Sequence, residues 1–472
     1  MKIFSEAYDF KAFSKWVGVA LLMLISLRFS FGYAAPLMMV GAVVALVRRR
    51  PIEVLFWILF MTMTSVGNRA VFSTRFVTVL FVRLTLIAFV VLVADKIITA
   101  RGAMLQRPFL GLFPYLLWEA VVSCQGYDQV VSHLKLILFV SVFLALYGVA
   151  NGVNFVKSVK EPKLRSAILA VVALMVLGSV ALIPFPGLSM MSPNEDLLRM
   201  MLDGEVTSLF QGMCSHSQAM GPMAGVLGTF IFADLVFSVR KLDPLYLLML
   251  IVCPVLIYKS SSRTGMGTFV AGVMMVTLML VQARGLGTRW KGKIVSTVLI
   301  FIIVLAIAAI SVPNFRAKMT RFVLKWSSSS NSSEKVNVQN VFKSRQNKID
   351  IALYNFKQKP FTGNGFQVSE EMRYASRPTL LSYFSAPIEK GVWMYAVLEE
   401  GGIVGFMLFV GWLILLFPIL YVRKAYVMAA TFFAFLMANV GEFCMFSMTY
   451  MGGFYWALVF AAGTLDRKRL TR

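Results

Sequence analysis

The chain has 472 residues, of which 58% are hydrophobic and only 14% are charged, and its mean hydropathy is +0.76. No water-soluble fold of this size buries so much apolar surface in one core, so these values exclude an ordinary soluble protein. They predict an all-α polytopic membrane protein. The formal net charge of +24 lies mostly in short loops between apolar runs, which argues for membrane orientation and against nucleic-acid binding.

Apolar runs long enough to cross a bilayer, or nearly so, predict about fourteen transmembrane helices, with a range of twelve to fourteen. They centre on residues 16–31, 33–47, 52–66, 77–94, 108–123, 134–151, 165–185, 217–238, 244–258, 264–283, 294–312, 403–422, 425–442 and 450–465. The four cysteines form no CxxC pair, and we interpret them as apolar residues rather than as a disulfide framework or a zinc site.

Lys and Arg residues gather in alternate connections, and cytoplasmic loops are enriched in these residues, so both termini are predicted to be cytoplasmic. The residues assigned to the cytoplasm by this rule are Arg48, Arg49, Arg50, Lys96, Arg101, Arg107, Lys157, Lys160, Lys163, Arg165, Arg240, Lys241, Arg284, Arg289, Lys291, Lys293, Arg423, Lys424, Arg467, Lys468 and Arg469. The chain then divides into N-terminal helices (1–185), a periplasmic loop (186–216), helices that carry candidate motifs (217–312), a large periplasmic loop (313–391) and C-terminal helices with a basic tail (392–472).

The large predicted loop carries more positive charge than orientation requires. Between Arg316 and Lys390 there are thirteen Lys or Arg residues against five Asp or Glu residues, a net of +8. One interpretation is attraction of an anionic ligand such as a diphosphate, and the other is contact with anionic lipid headgroups. Within this loop, residues 345–356 predict a short amphipathic helix with Ile349, Ala352, Leu353 and Phe356 on one face.

Two helix starts on the predicted outer side carry candidate ligand-binding residues. The segment YKSSSRTG places Lys259 and Arg263 between two spans, where an arginine fork can hold a phosphate or can serve only as an interfacial anchor. The segment GMCSHSQAMG places His216 and Gln218 at another helix start. His216 can bind a ligand or carry a proton, or Ser215 or Ser217 can cap the helix with His216 hydrogen-bonded nearby.

Acidic residues near the predicted end of the large loop form a third group. Glu389 and Lys390 precede the segment EEGGIVG. Acidic residues here are expected to face a cavity or a partner, or, alternatively, Glu399 and Glu400 only favour a helix start at Ile403 through the helix dipole. Glu389 or Glu400 can accept a proton from a sugar hydroxyl, and Lys390 can neutralise a phosphate. Arg83 and Glu119 lie inside predicted spans, where they either pair with each other or line a polar cavity.

Taken together, these motifs resemble the O-antigen ligase and polymerase superfamily over about residues 205–420. GMCSHSQAMG is similar to the family's G-x-x-x-H-x-N-x-x-G helix start, with Gln218 where Asn is usual. SSSRTG is similar to its Ser-Arg-Thr helix start, SRQNKIDIALYNFKQKPFTGNGF to the helix and glycine turn of its large loop, and EEGGIVG to its Glu-x-Gly-x-x-Gly. The sequence departs from the family where Gly391 and Val392 replace the usual His-Asn pair.

The resemblance implies a glycosyltransferase of the bacterial inner membrane whose active site faces the periplasm. Its donor is a glycan on undecaprenyl diphosphate, and its acceptor is either lipid A core, as in a ligase, or another glycan chain, as in a polymerase of O-antigen or exopolysaccharide. Arginines supply the positive charge, so we expect neither a metal nor a cofactor. The expected catalytic residues are Arg263, Glu389, Lys390 and His216, and those expected to bind diphosphate or glycan are Lys259, Arg345, Gln218, Arg199 and Glu400.

Two other classes of protein remain open at this point. A transporter or flippase of lipid-linked glycans also needs basic residues in an outward cavity, although it does not need a large outer loop. A scaffolding membrane protein leaves the outward positive charge unexplained. An enzyme is expected to gather Arg263, His216, Arg345 and Lys390 around one outward pocket, whereas a transporter is expected to hold its charges near the bilayer midplane.

Overall fold

The computed structural model of the protein describes residues 8–29, 31–48, 50–68, 71, 107–151, 160–190, 210–238, 243–282, 338–368, 390–441, 443–448 and 451–470. Every regular element in these ranges is a helix, and only two isolated β-bridges accompany them. The predicted all-α class is therefore confirmed for this part of the chain.

Thirteen described helices of more than one turn follow one another along the chain. They are α1 (Phe10–Phe29), α2 (Phe31–Val47), α3 (Pro51–Val66), α4 (Phe113–Ser123), α5 (Gln129–Asn151), α6 (Glu161–Ala181), α7 (Ser217–Phe237), α8 (Pro244–Lys259), α9 (Arg263–Gln282), α10 (Val338–Gln358), α11 (Trp393–Val422), α12 (Tyr426–Ala438) and α13 (Met451–Leu470). A 3₁₀ helix (Arg107–Leu112) leads into α4, and a single helical turn (Pro186–Ser189) follows α6.

Six of these helices, α1, α5, α6, α7, α9 and α11, are long and apolar enough to cross a membrane. The shorter helices α3, α8 and α12 are apolar as well. The fold therefore fits a membrane-embedded protein, while the count of about fourteen spans and their orientation remain predictions. The predicted spans at 77–94 and 294–312 lie outside the described residues.

Helix α7 forms the centre of the bundle and approaches α9 so closely that the two backbones touch. A Cβ atom added at Gly265 would overlap the backbone of Gly221, and one added at Gly225 would lie 2.7 Å from the carbonyl oxygen of Gly265. Small residues are typical of helix contacts in membranes because they allow this approach. The seam defined by Gly221, Gly225 and Gly265 therefore fixes the starts of α7 and α9 against each other.

Contacts between helix ends define two faces of the bundle. On one, here called the terminal face, the beginning of the described chain meets its end through a series of contacts: Asp9 with Ser166, Arg165 with Asp234, Phe237 with Tyr426, and Val427 with Asp466. On the opposite face, here called the site face, the contacts join Val66 to Ser215, Gly221 to Ser262, Thr264 to Gly441, and Gly391 to Phe443. Both ends of the described chain thus share a face, and the side of the membrane on which that face lies stays a prediction.

Arg165 departs from the sequence-based picture of solvated loop charges on the terminal face. It lies within α6, is only 2% exposed, and forms ion pairs with Glu161 at 2.8 Å and Asp234 at 3.0 Å. Tyr246 donates a further hydrogen bond to Asp234. A planar guanidinium suits such a buried arrangement because its donors reach two carboxylates at once.

Candidate functional site

His216 forms the N-cap of α7. Its backbone is extended, and its Nδ1 atom accepts a hydrogen bond of 3.2 Å from the backbone N–H of Ala219. The prediction that this motif contains a helix N-cap is confirmed, but the capping residue is His216 and neither Ser215 nor Ser217. A backbone N–H can only donate, which assigns the accepting, unprotonated nitrogen to Nδ1 and the ring proton of the neutral imidazole to Nε2. His216 in this state is a hydrogen-bond donor rather than a base.

The start of α9 lies directly beside the start of α7. Ser262 precedes α9 and accepts a hydrogen bond of 3.0 Å from the backbone N–H of Gly265, while a Cβ at Gly221 would overlap the Ser262 side chain. Arg263 is the first residue of α9 and is partly buried, and Lys259 is exposed at the end of α8. The structure therefore brings the segments that carry His216, Gln218, Lys259 and Arg263 to one junction on the site face.

Helix α11 is broken within the EEGGIVG motif. Gly402 has φ +65° and ψ −167°, a backbone conformation outside the helical region that glycine adopts without strain. The helix begins at Trp393, ten residues before the predicted start at 403, so Glu399 and Glu400 belong to the turn before the break. The second part of α11 begins after Gly402, where a helix start near residue 403 is predicted, so the alternative that Glu399 and Glu400 favour that start stays a prediction.

The backbone N–H and C=O groups that lose their helical partners at this break are hydrogen-bonded to the glycine turn at residues 360–366 and to Trp118. The carbonyl oxygens of Glu399 and Glu400 accept hydrogen bonds from the backbone N–H groups of Asn364 (2.9 Å) and Gly365 (3.0 Å). The N–H of Ile403 donates to the Pro360 carbonyl at 2.8 Å, and the indole of Trp118 donates to the Gly401 carbonyl at 2.7 Å. Two motifs that lie far apart along the sequence thus form one unit.

Lys390 anchors the other side of this unit. Its ammonium lies 3.3 Å from Glu399 Oε2 and 3.0 Å from Glu400 Oε1, and it donates a hydrogen bond of 2.7 Å to the carbonyl of Val368. Burial by itself lowers the pKa of Lys390, but attraction to Glu399 and Glu400 outweighs it and raises the pKa above the ordinary lysine value. The buried ammonium is thus hydrogen-bonded to one carbonyl and ion-paired with two carboxylates. Lys390 in this conformation therefore holds protein groups together rather than facing an open site for a phosphate.

Helix α10 docks on the same unit through a polar residue that the sequence analysis missed. Ile349 and Ala352 are buried as predicted, but so is Asn355, whose Nδ2 donates a hydrogen bond of 2.9 Å to Glu399 Oε1. The Asn355 carbonyl accepts a hydrogen bond of 3.1 Å from Asn364 Nδ2. We call the group of Lys390, Glu399, Glu400, Asn355 and Asn364 the loop clasp. Its signal in the sequence was an amide on the apolar face of an amphipathic helix.

The loop clasp and the α7–α9 junction share the site face and are joined by the segment after α12. Thr264, next to Arg263, packs against Gly441, and the N–H of Phe443 donates to the carbonyl of Gly391 at 3.0 Å. Of the remaining predicted site residues, Arg345 lies on α10 but its side chain is outside the described part. Arg199 and Glu389 lie outside the described residues, as does Arg83, so the two alternatives for Arg83 and Glu119, a pair or a polar cavity lining, both stay predictions.

Comparison with known proteins adds no assignment. No protein-family model and no curated protein matches the chain.

Proposed function

We propose that the protein is a membrane-embedded glycosyltransferase of the bacterial inner membrane. It transfers an oligosaccharide or polysaccharide from undecaprenyl diphosphate to a glycan or lipid A-core acceptor at the periplasmic face. The proposal starts from the motifs that resemble O-antigen ligases and polymerases. Its structural support is that the segments carrying these motifs meet on one face of the bundle.

The observation that carries the proposal is that the backbone groups exposed by the break in α11 are hydrogen-bonded to other protein groups. Transporters commonly keep the backbone groups of a broken helix available for substrate or ions and rock around that point. Here the carbonyls of Glu399, Glu400 and Gly401 and the N–H of Ile403 all bond to protein groups. The described part of the large loop is thereby fixed to the bundle, which favours a pre-organised surface for positioning two substrates over a moving gate.

The chemistry proposed for this surface is a single displacement at the sugar. The acceptor hydroxyl oxygen bonds to the anomeric carbon, the bond from that carbon to the diphosphate oxygen breaks, and its electron pair leaves on undecaprenyl diphosphate. Arg263 binds the leaving diphosphate through its fork, with Lys259 and Arg345 adding positive charge. His216 donates Nε2–H to a phosphate or sugar oxygen. Glu389 takes the hydroxyl proton, and Lys390 positions the loop.

The test compares Arg263→Ala with Arg48→Ala in a strain that lacks the chromosomal gene, at matched expression. Arg48 is an exposed arginine that follows α2 on the terminal face, so its loss controls for the charge alone. We expect surface glycan to be lost or shortened with Arg263→Ala, lipid-linked precursor to accumulate on the periplasmic side, and Arg48→Ala to behave as wild type. Normal glycan in Arg263→Ala cells would overturn the site.

A reconstituted assay separates transfer from translocation. Proteoliposomes carrying a lipid-diphosphate-linked glycan and an acceptor are expected to yield elongated or ligated product together with free undecaprenyl diphosphate. Movement of the donor headgroup across the bilayer without product would replace the proposal by a flippase. The pattern of product lengths then distinguishes a ligase, which attaches a whole chain once, from a polymerase, which adds units.

A further inference from the structure

The carboxylate of Glu119 has no role in the function proposed above, yet its position is unusual. It lies near the end of α4 with 0% exposure, and neither of its oxygens accepts a hydrogen bond within the described part of the chain. An ionised carboxylate buried without a cation or hydrogen-bond donors is strongly destabilising, whereas a neutral carboxylic acid is far less so. The protonation state of Glu119 is therefore decided by its neighbours.

Ionisable groups on α4 and α11 and Lys390 act on Glu119 itself, and Lys135 on α5 acts on its neighbours Glu400 and Lys390. On α4 the Tyr115 hydroxyl lies one turn away without hydrogen-bonding geometry to the carboxylate, and on α11 Glu400 repels it. Lys390 attracts it but is engaged with Glu399 and Glu400. On α5, Lys135 is buried and donates to the carbonyl of Gln367 at 3.0 Å, and Asp128 at the start of that helix is partly exposed.

The charges of the buried groups do not balance. Three buried carboxylates, Glu119, Glu399 and Glu400, share this region of the described chain with two buried ammonium groups, Lys135 and Lys390. Lys390 contacts two of the carboxylates, and Lys135 bonds to a backbone carbonyl. Within the described residues one negative charge is therefore left over. Neither Glu119 nor Glu400 accepts a hydrogen bond there, but Glu400 is ion-paired with Lys390, so the unbalanced charge falls on Glu119.

Space favours a proton over a metal ion as the missing positive charge. A Cβ atom added at Gly401 would overlap Glu119 Oε1, and one added at Gly405 would lie 3.4 Å from the same oxygen. Hard cations require about six or more oxygen ligands around them. A proton requires no extra volume, and it removes the negative charge of the carboxylate that binds it.

We propose that Glu119 and Glu400 form a buried proton-binding site between α4 and α11. Glu119 is held as the neutral acid and Glu400 as the carboxylate that pairs with Lys390. The proton removes the repulsion that would otherwise push α4 away from the break in α11, so it helps to hold the loop clasp closed. This inference does not depend on the glycan chemistry proposed above.

The experiment compares Glu119→Gln with Glu399→Gln in the purified full-length protein. Gln has the shape of a neutral acid, so Glu119→Gln preserves the proposed state, whereas Glu399→Gln removes a charge that Lys390 and Asn355 both use. The folded wild type keeps a proton that the unfolded chain loses above the usual glutamate pKa of about 4.3, so its stability falls as pH rises. We expect the melting temperature of Glu119→Gln to equal that of the wild type at pH 5 and to exceed it by a few degrees at pH 8. The melting temperature of Glu399→Gln is expected to lie below that of the wild type at both pH values.

Infrared difference spectroscopy gives a readout that does not depend on stability. At neutral pH the wild type is expected to show a protonated carboxyl band that is absent from Glu119→Gln and retained in any folded Glu399→Gln protein. Lower stability of Glu119→Gln at pH 8 together with no such band would overturn the proposal, because Glu119 would then be an anion held by a cation. Stabilisation of the wild type by sodium over choline would identify that cation as a bound ion.

Discussion

The two faces of the bundle each contain a buried group of charges, and they are built in different ways. On the terminal face, Arg165 donates from Nε and Nη2 to both oxygens of Asp234 and to Glu161, and Tyr246 adds a donor. On the site face, Lys390 donates to one backbone carbonyl and contacts two carboxylates. A third carboxylate, Glu119, has no hydrogen-bond donor among the residues that the structure describes.

The difference follows from the geometry of the two cations. A guanidinium is a planar fork that engages a carboxylate at both oxygens, whereas an ammonium is a point charge with three donors. The Arg165 group therefore acts as a brace between α6 and α7. The Lys390 group distributes its donors between α11 and the end of the glycine turn, which is what fixes the large loop to the membrane helices.

Removing either cation is expected to have the largest effect. Lys390→Met and Arg165→Met each leave buried carboxylates without their partner, and breaking a buried pair in this way costs about 3–5 kcal/mol. Thermal unfolding in detergent measures the loss. The two variants are expected to differ in where the protein opens: limited proteolysis should cut near residues 359–368 in Lys390→Met and not in Arg165→Met. Equal cleavage in both would show that the loop clasp does not hold the loop.

Substitutions in the seam between α7 and α9 are expected to have stability effects of intermediate size. Near the site face, Gly265 faces the backbone of Gly221, whereas seven residues further along Gly272 faces the side chain of Thr229. Backbone cannot rotate away, so we expect Gly265→Ala to cost about 1–3 kcal/mol and Gly272→Ala to cost less. Gly267, with no atom within 4 Å of an added Cβ, is the control, and Gly267→Ala is expected to be neutral or stabilising by about 0.5–1 kcal/mol. Thermal unfolding of the three variants checks this order.

Most of the helices could be predicted from the sequence because they are apolar runs, and α10 could be predicted because its apolar residues lie on one face. The part of α11 after Gly402 was predicted as a span, whereas the helical segment that begins at Trp393 and precedes the break was not. That helix tolerates two carboxylates only because Lys390 and Asn355 meet them there, and pairings between segments leave no mark in local periodicity. The α7–α9 junction was easier to predict from the sequence, because each of its two motifs indicates a helix start.

The loop clasp also shows why some site residues were assigned a different role by sequence reasoning. Lys390 was interpreted as a phosphate ligand because a lysine in a basic loop has that chemistry available. In the structure the positive charge of Lys390 is instead paired with the carboxylates of Glu399 and Glu400. The sequence does not single out Asn355, because an amphipathic face is recognised by its apolar residues, although a buried amide is a strong indication of a specific contact.

The smallest expected effect compares the N-caps of two neighbouring helices. His216 caps α7 on the site face, and Asp243 caps α8 on the terminal face by accepting a hydrogen bond of 2.9 Å from Leu245. Replacing either by Ala removes a cap and is expected to cost about 1 kcal/mol. Replacing either by Asn keeps an acceptor at the cap, so His216→Asn and Asp243→Asn should both retain most of their stability.

Glycan-transfer activity is expected to distinguish His216→Asn from Asp243→Asn, although their stabilities are similar. His216→Asn removes the Nε2–H that we propose contacts the donor or acceptor, so glycan transfer should fall several-fold while the melting temperature stays close to that of the wild type. Asp243→Asn should retain transfer, because its helix start lies on the opposite face. If His216→Asn transfers glycan at the wild-type rate, then His216 is only a cap, and binding of the diphosphate at this junction must rest on Arg263 and Lys259.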